Sequence, residues 1–321
     1  MPDVTSFIAR SIREKICWSR AGFVLSLLIV AAAGVVLFYM LRGIDAGRVL
    51  DVIGSKPAHV VMLAAVCIGV AYVTLTFYEY FSLRTIGCTQ VPYRVAALAS
   101  FTSYSIGHNL GATVFTAGAM RWRIYSAWKL SLSDIAKMAF ITGLTFWLGN
   151  VFVLGIGMVV APDAAGAVNR LPSLANQAIG LLGLAAIAAY VLWLIPRPRR
   201  AGAGAWSVRL PTAPLTLVQI GIGVLDLVAA GFGMYLLLPE APEVDFLTVL
   251  VIYVTATLLG FLSHAPGSLG VFEAAMLIAL PQFVREELLA SLLIFRCLYF
   301  VLPLILAVGV MMAREVLLSA R

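Results

Sequence analysis

Charge is what this sequence has least of. Asp, Glu, Lys and Arg make up 12% of its 321 residues, about half the ~25% usual in soluble domains, while 62% of the chain is hydrophobic. No soluble core hides that much apolar surface. The ten-residue alternation of an outer-membrane barrel is also missing. The four cysteines (Cys17, Cys67, Cys88, Cys297) form no CxxC and no paired spacing, so they frame neither disulfides nor a metal site; Cys67 and Cys297 read as small core residues. Walker A, GxSxG, HExxH and GxGxxG motifs in a fitting context are lacking, so any energy source is an ion or lipid gradient rather than ATP. No separate basic domain exists, which excludes nucleic acid as the partner of the net +7 charge and assigns it to the cytoplasmic side of a membrane protein. No cofactor or metal is expected.

Long apolar runs are what remains, and they predict an all-α, polytopic helical membrane protein folded as a single transmembrane domain over 1–321. The N-terminus, 1–20, is basic (Arg10, Arg13, Lys15, Arg20). The run at 21–41 is long enough to span, so it reads as a retained first helix rather than a signal peptide. The loop 42–57 carries a short interfacial helix. Further spans are expected at 58–80, 138–160, 174–195, 213–238 and 288–312, with 119–137 as a basic interfacial segment bearing Trp122, Tyr125 and Trp128. The loop 196–211 (Arg197, Arg199, Arg200, Arg209) is the most basic.

Parity of these loops shapes the rest. The loops 81–94 and 119–137 are both basic, yet one apolar segment, 95–118, lies between them; it must enter and return, turning near Gly107–Gly111. The loops 239–245 and 281–287 are acidic or acidic-leaning, so 246–280 should dip in from the other face and return at Pro266–Gly270, where Pro266 removes a backbone donor and Gly267 and Gly270 favour non-helical shapes. This gives about six full spans plus two re-entrant broken-helix hairpins arranged as an inverted pair, with both termini cytoplasmic. Broken helices at membrane depth must be buried in protein or line a wet cavity, and commonly form transport sites.

Glu79, His108, Asp226, His264, Glu273 and Arg296 fall in or beside the hydrophobic zone, where a charge costs about 2.5–3.5 kcal/mol on insertion scales unless paired or hydrated. Glu273 and Arg296 read either as a structural pair or as a substrate-facing one. Asp226 reads as cavity-lining, with a purely structural role as the alternative and a residue such as Arg121 or Arg123 as partner. Glu79 reads as a solvated interfacial acid or as part of the path. His108 and His264 are expected to satisfy free backbone groups beside the breaks. Arg121 and Arg123 have the fork geometry that binds phosphate, or serve as positive-inside anchors.

These residues resemble the lysylphosphatidylglycerol synthase transmembrane-region family, which occurs alone and as the flippase part of the bifunctional lysylphosphatidylglycerol flippase/synthetase. The likeness runs through Tyr78-Glu79 with Ser82-Leu83-Arg84, Gly107-His108-Asn109-Leu110-Gly111 and Thr116 to Trp128. It continues through Gly143 to Gly149, Leu225-Asp226, Ser263-His264-Ala265-Pro266-Gly267-Ser268-Leu269-Gly270-Val271-Phe272-Glu273 and Phe295-Arg296 with Tyr299 and Pro303. The family usually has Asp at the place of Glu79, Gly-Gly at Ala117-Gly118 and Gly267-Ser268, and Arg-Tyr-Arg at 121–123. The chain ends at Arg321 with no aminoacyl-transfer domain, so synthase activity is not expected. The resemblance implies a lipid translocase of the bacterial inner membrane, moving a phospholipid, aminoacylated or otherwise, between leaflets. Its path would use Glu79, Arg84, His108, Asn109, Arg121, Arg123, Asp226, His264, Glu273 and Arg296. The alternatives are a membrane enzyme acting on lipid headgroups and a non-catalytic partner of lipid-biosynthesis enzymes.

Overall fold

A computed structural model describes residues 45–110, 113–197, 199–203 and 206–319. The expected first helix at 21–41, the basic N-terminus and Gly111 lie outside the described residues. Among those described, six helices are long and apolar enough to cross a membrane, including 246–263 and the continuous stretch 285–314. The protein is an all-α polytopic membrane protein.

The expected interfacial helix is α1 (Ala46–Ser55), started by the Asp45 side chain, which accepts from the Gly47 and Arg48 amides. Its Val49 is buried against Leu289 and Ala290. Helix α2 (Ala58–Ile86) runs past the expected end at 80 and stops at Gly87, whose φ of 89° places it in the left-handed region. Then come α3 (Tyr93–Leu110), α4 (Thr113–Tyr125) and α5 (Leu132–Val160). The expected interfacial segment at 119–137 is therefore no separate unit. It is divided between the end of α4 and the start of α5, because Ser131 and Asp134 form a capping box that begins the new helix. A short helix, α6 (Pro162–Asn169), occupies the expected loop 161–173 and leads to α7 (Ser173–Leu194). The basic loop folds into a β-hairpin, β1 (Arg200–Ala203) with β2 (Trp206–Arg209), ahead of α8 (Ala213–Leu237). The chain ends with α9 (Phe246–Ser263), α10 (Val271–Ala279), α11 (Arg285–Arg296) and α12 (Leu302–Ser319).

The core is built on α2, which packs most extensively on α8, with α5 against both. Small residues allow this: a Cβ on Gly149 of α5 would lie 2.8 Å from the Gly223 Cα of α8, and one on Gly180 of α7 2.7 Å from the Gly155 carbonyl oxygen. Close backbone approach at small residues is the usual route to helix association in lipid.

Two helix pairs enter from opposite ends. Helices α3 and α4 pack along each other, as do α9 and α10. The open end of the first pair is buried with Leu83, Leu130 and Ile135, at the end of α2 and the start of α5. The open end of the second lies at the α6 end, where Val251 meets Ala164 and Ala165. Residues 266–268 of the second turn pack against α3. Of the first turn, expected near Gly107–Gly111, the part up to Leu110 is helix. Gly107 is helical and α3 continues to Leu110, held by the Asn109 amide bonding the Ser105 carbonyl one turn back at 2.7 Å. The second turn is at the expected place: His264 ends α9 at φ 55°, Pro266 starts a single 3₁₀ turn, and Gly267 and Gly270 take φ 59° and 80°.

Candidate functional site

Three buried polar groups stand out, on α2 with α4, on α8, and around the second turn. The first joins Glu79 of α2 to Arg121 of α4. Arg121 Nε donates to both carboxylate oxygens at 3.0 and 3.1 Å, and Nη2 donates to Oε2 at 2.8 Å. The Tyr125 hydroxyl donates to Oε1 at 3.1 Å, and the guanidinium lies 5.2 Å from the Tyr104 ring centre. Glu79 is 0% exposed and Arg121 5%. Glu79 is thus no solvated interfacial acid, and Tyr125, expected in an interfacial segment, is buried. Helix α2 runs two turns beyond Glu79, which carries the acid inside the bundle.

The second group is Asp226 of α8. Its partner is neither Arg121 nor Arg123 but Tyr78, whose hydroxyl donates to Oδ2 at 3.2 Å. Arg121 is instead paired with Glu79. The Thr74 hydroxyl lies beside this carboxylate but donates to the Ala71 carbonyl at 2.6 Å, which leaves Oδ1 of Asp226 without a donor among the described residues.

The third group closes the second turn. Arg296 Nε donates to Glu273, and Nη1 donates to the Gly267 carbonyl at 2.9 Å. Glu273 also accepts from the Gly270 amide at 2.8 Å. One carboxylate therefore caps α10 and anchors the guanidinium, which in turn satisfies a carbonyl freed by the break. Nη2 of Arg296 is buried without a hydrogen-bond partner among the described residues.

Below Arg296 the last span relaxes into a π-helical stretch, Cys297–Val301. Pro303 explains it: a proline cannot donate to the carbonyl four residues back, that of Tyr299. Other helices supply donors instead. The Tyr72 hydroxyl bonds the Tyr299 carbonyl at 2.9 Å, and the Asn109 amide bonds the Phe300 carbonyl at 3.0 Å. Asn109 thereby ties the first hairpin to the last span. His108 lies with its ring parallel to Tyr299, centroids 6.3 Å apart and planes at 9°, and edge-on to Tyr104 at 5.5 Å. Its buried Nδ1 has no hydrogen-bond partner among the described residues, so the backbone role expected of His108 falls to Asn109, whereas His264 does meet a backbone carbonyl beside its break.

Three expected residues stand apart from this cluster. His264 is exposed, with Nδ1 2.9 Å from the Leu262 carbonyl. Arg123 is exposed. Arg84 is exposed near the end of α2, 4.9 Å from the Tyr80 ring centre. Conversely, Thr216 and Gln219 were not singled out from the sequence. Both are fully buried in α8, and the Thr216 hydroxyl and both Gln219 amide atoms lack hydrogen-bond partners among the described residues. They lie ten and seven positions before Asp226, which puts all three on one helix face.

A scan against protein-family models finds no match. Two curated proteins are similar over most of the chain. Uncharacterized protein slr0712 of Synechocystis sp. is 33% identical over 235 residues, covering 73% of this chain and 72% of that protein. Inner membrane protein YbhN of Escherichia coli is 27% identical over 298 residues, covering 90% and 91%.

Proposed function

The chain belongs to the same protein family as slr0712 of Synechocystis, and on that premise we propose that it is a lipid translocase of the bacterial inner membrane, a transporter rather than an enzyme. The single observation that carries this reading is the set of buried polar atoms without protein partners where the two hairpins meet: Asp226 Oδ1, His108 Nδ1 and Arg296 Nη2. A zwitterionic or aminoacylated headgroup carries an ammonium for the aspartate and a phosphate for the guanidinium, and its tails can stay in lipid. Glu79, Arg121 and Glu273 neutralise partners and hold the helices in place rather than bind cargo. The likeness to YbhN, named an inner membrane protein, supports the location, and the motif resemblance to the lysylphosphatidylglycerol synthase transmembrane-region family supports a lipid as cargo. Excess Lys and Arg at the α2 C-terminal end of the bundle supports that end as cytoplasmic.

The test is purified protein in liposomes with a labelled phosphatidylethanolamine or lysylphosphatidylglycerol, read as loss of signal to a membrane-impermeant quencher. Asp226→Asn and Arg296→Gln should each slow flip. Wild-type rates in both variants would remove the central cluster from the path, and no flip of either lipid would reject translocation.

A further inference from the structure

At the end of the bundle where α2 stops and α8 begins, two adjoining cavities of about 450 and 180 Å³ share Thr85, Arg200 and Arg209 in their walls. The larger falls in the ~300–1,000 Å³ range of small-molecule sites. Arg84 and Arg199 add to its lining and Lys137 to that of the smaller. No acidic residue lines either, and none of the five cations forms an ion pair among the described residues. The nearby Asp134 is engaged in capping α5.

The β-hairpin makes this more than a diffuse basic face. Its register sets Arg200 directly opposite Arg209, an arrangement that is destabilising when no counter-charge intervenes. The Leu210 amide closes the hairpin onto the Arg199 carbonyl at 2.9 Å, so three arginines are held at one mouth. Arg199 is further fixed by its Nε bond to the Trp193 carbonyl at 3.2 Å and lies 4.7 Å from that indole's centre, a residue type that anchors at headgroup level. Thr212, the N-cap of α8, also lines the cavity and makes no side-chain cap bond. Guanidiniums gathered by the hairpin, that of Arg199 fixed, beside a helix start whose N-cap side chain is uncommitted suit a tetrahedral oxyanion.

We propose that this hairpin vestibule binds a phosphate group, presented by an anionic lipid headgroup at the membrane surface. The site is separate from the Asp226 cluster and does not depend on translocation.

The test uses the full chain in nonionic detergent, titrated with a fluorescent short-chain phosphatidylglycerol, with inorganic phosphate as competitor. Arg200→Gln/Arg209→Gln should weaken binding about tenfold or more, since two charge-assisted contacts are lost, and Arg84→Gln, in the lining of the larger cavity, should weaken it too. Arg48→Gln removes the same charge at the other end of α2 and should leave the affinity unchanged. All four side chains changed are exposed, and a wild-type elution volume on size exclusion verifies folding. Lipid binding that resists millimolar phosphate supports the lipid source. Full displacement by phosphate, with phosphate binding itself lost in the double variant, keeps the site and assigns it to soluble phosphate compounds. Equal affinity in the double variant and wild type, or an equal loss in Arg48→Gln, overturns the proposal.

Discussion

Removing Glu79 should be the most damaging single change in the bundle. Glu79→Gln deletes the charge that receives three contacts from Arg121 and one from Tyr125. It leaves a guanidinium, 5% exposed, with only the Tyr104 face and a neutral amide for company. Summing charge-assisted hydrogen bonds at ~1.5–3 kcal/mol each overstates the loss, because Gln still accepts one or two of them. The better measure is the ~3–5 kcal/mol found when one partner of a buried pair is removed. Arg121→Gln should cost a similar amount by stranding the carboxylate. The double variant Glu79→Gln/Arg121→Gln strands neither, so it should be more stable than the sum of the single losses by about 1–3 kcal/mol. Reversible denaturation of purified protein in mixed micelles measures all four species. A strictly additive double variant, or a loss under about 1 kcal/mol in Glu79→Gln, would refute the claim that this pair is dry and coupled.

Three further outcomes follow from the same geometry. Tyr72→Phe and Asn109→Ala each remove the donor to a carbonyl in the π-helical stretch and should cost about 1–3 kcal/mol, with faster hydrogen exchange near 299–304 than near 288–294; uniform exchange would separate the stretch from Pro303. Gly149→Ala drives a methyl to 2.8 Å from the Gly223 backbone and should lower stability by about 1–3 kcal/mol, whereas Gly143→Ala, which meets open space, should be neutral in a thermal melt. Asp245 caps α9; burial alone would raise its carboxyl, but hydrogen bonds from the Thr248 hydroxyl and from backbone amides outweigh that and hold it below the ordinary value. With the folded value depressed, its stabilisation is present above about pH 4 and fades as pH falls through the folded value. Asp245→Asn should therefore flatten the acid limb of the stability curve, a cap being worth about 1 kcal/mol, and an unchanged acid limb would deny Asp245 that role.

How much was legible depended on whether the signal was local. Pro266, Gly267 and Gly270 punctuate a helix wherever they stand, so the second turn was readable. Gly107 misled because a helix tolerates one glycine, and Asn109 bonds its own helix instead of ending it. The contact between Glu273 and Arg296 followed from two charges facing each other across one connection. That of Glu79 with Arg121 did not, because 42 residues and a hairpin separate them and Asp226 was an equal claimant by sequence. The β-hairpin was hidden by its charge: four arginines between 197 and 209 read as a solvated loop, and only the pairing of Arg200 with Arg209 reveals a shape. Thr216 and Gln219 were within reach, since their spacing to Asp226 repeats the helix period, but uncharged polar residues raise no alarm in an apolar run.

The buried polar groups divide into two kinds, and the division bears on function. At Glu79 and Arg121 the carboxylate oxygens and guanidinium nitrogens named above are met by protein, tightly and from three directions. Such a site resembles a fastener: it fixes α4 to α2 near the basic end. At Asp226, His108 and Arg296 each side chain is held on one side and bare on the other. A buried polar atom left unmet costs about 1–3 kcal/mol, and three of them weigh heavily against the ~5–15 kcal/mol that holds a typical domain folded. Apolar residues of similar size would fill the same space at lower cost. On the translocase reading proposed above, a polar headgroup would be what meets these three atoms, and for Arg296 this role would add to its hold on Glu273 and the Gly267 carbonyl.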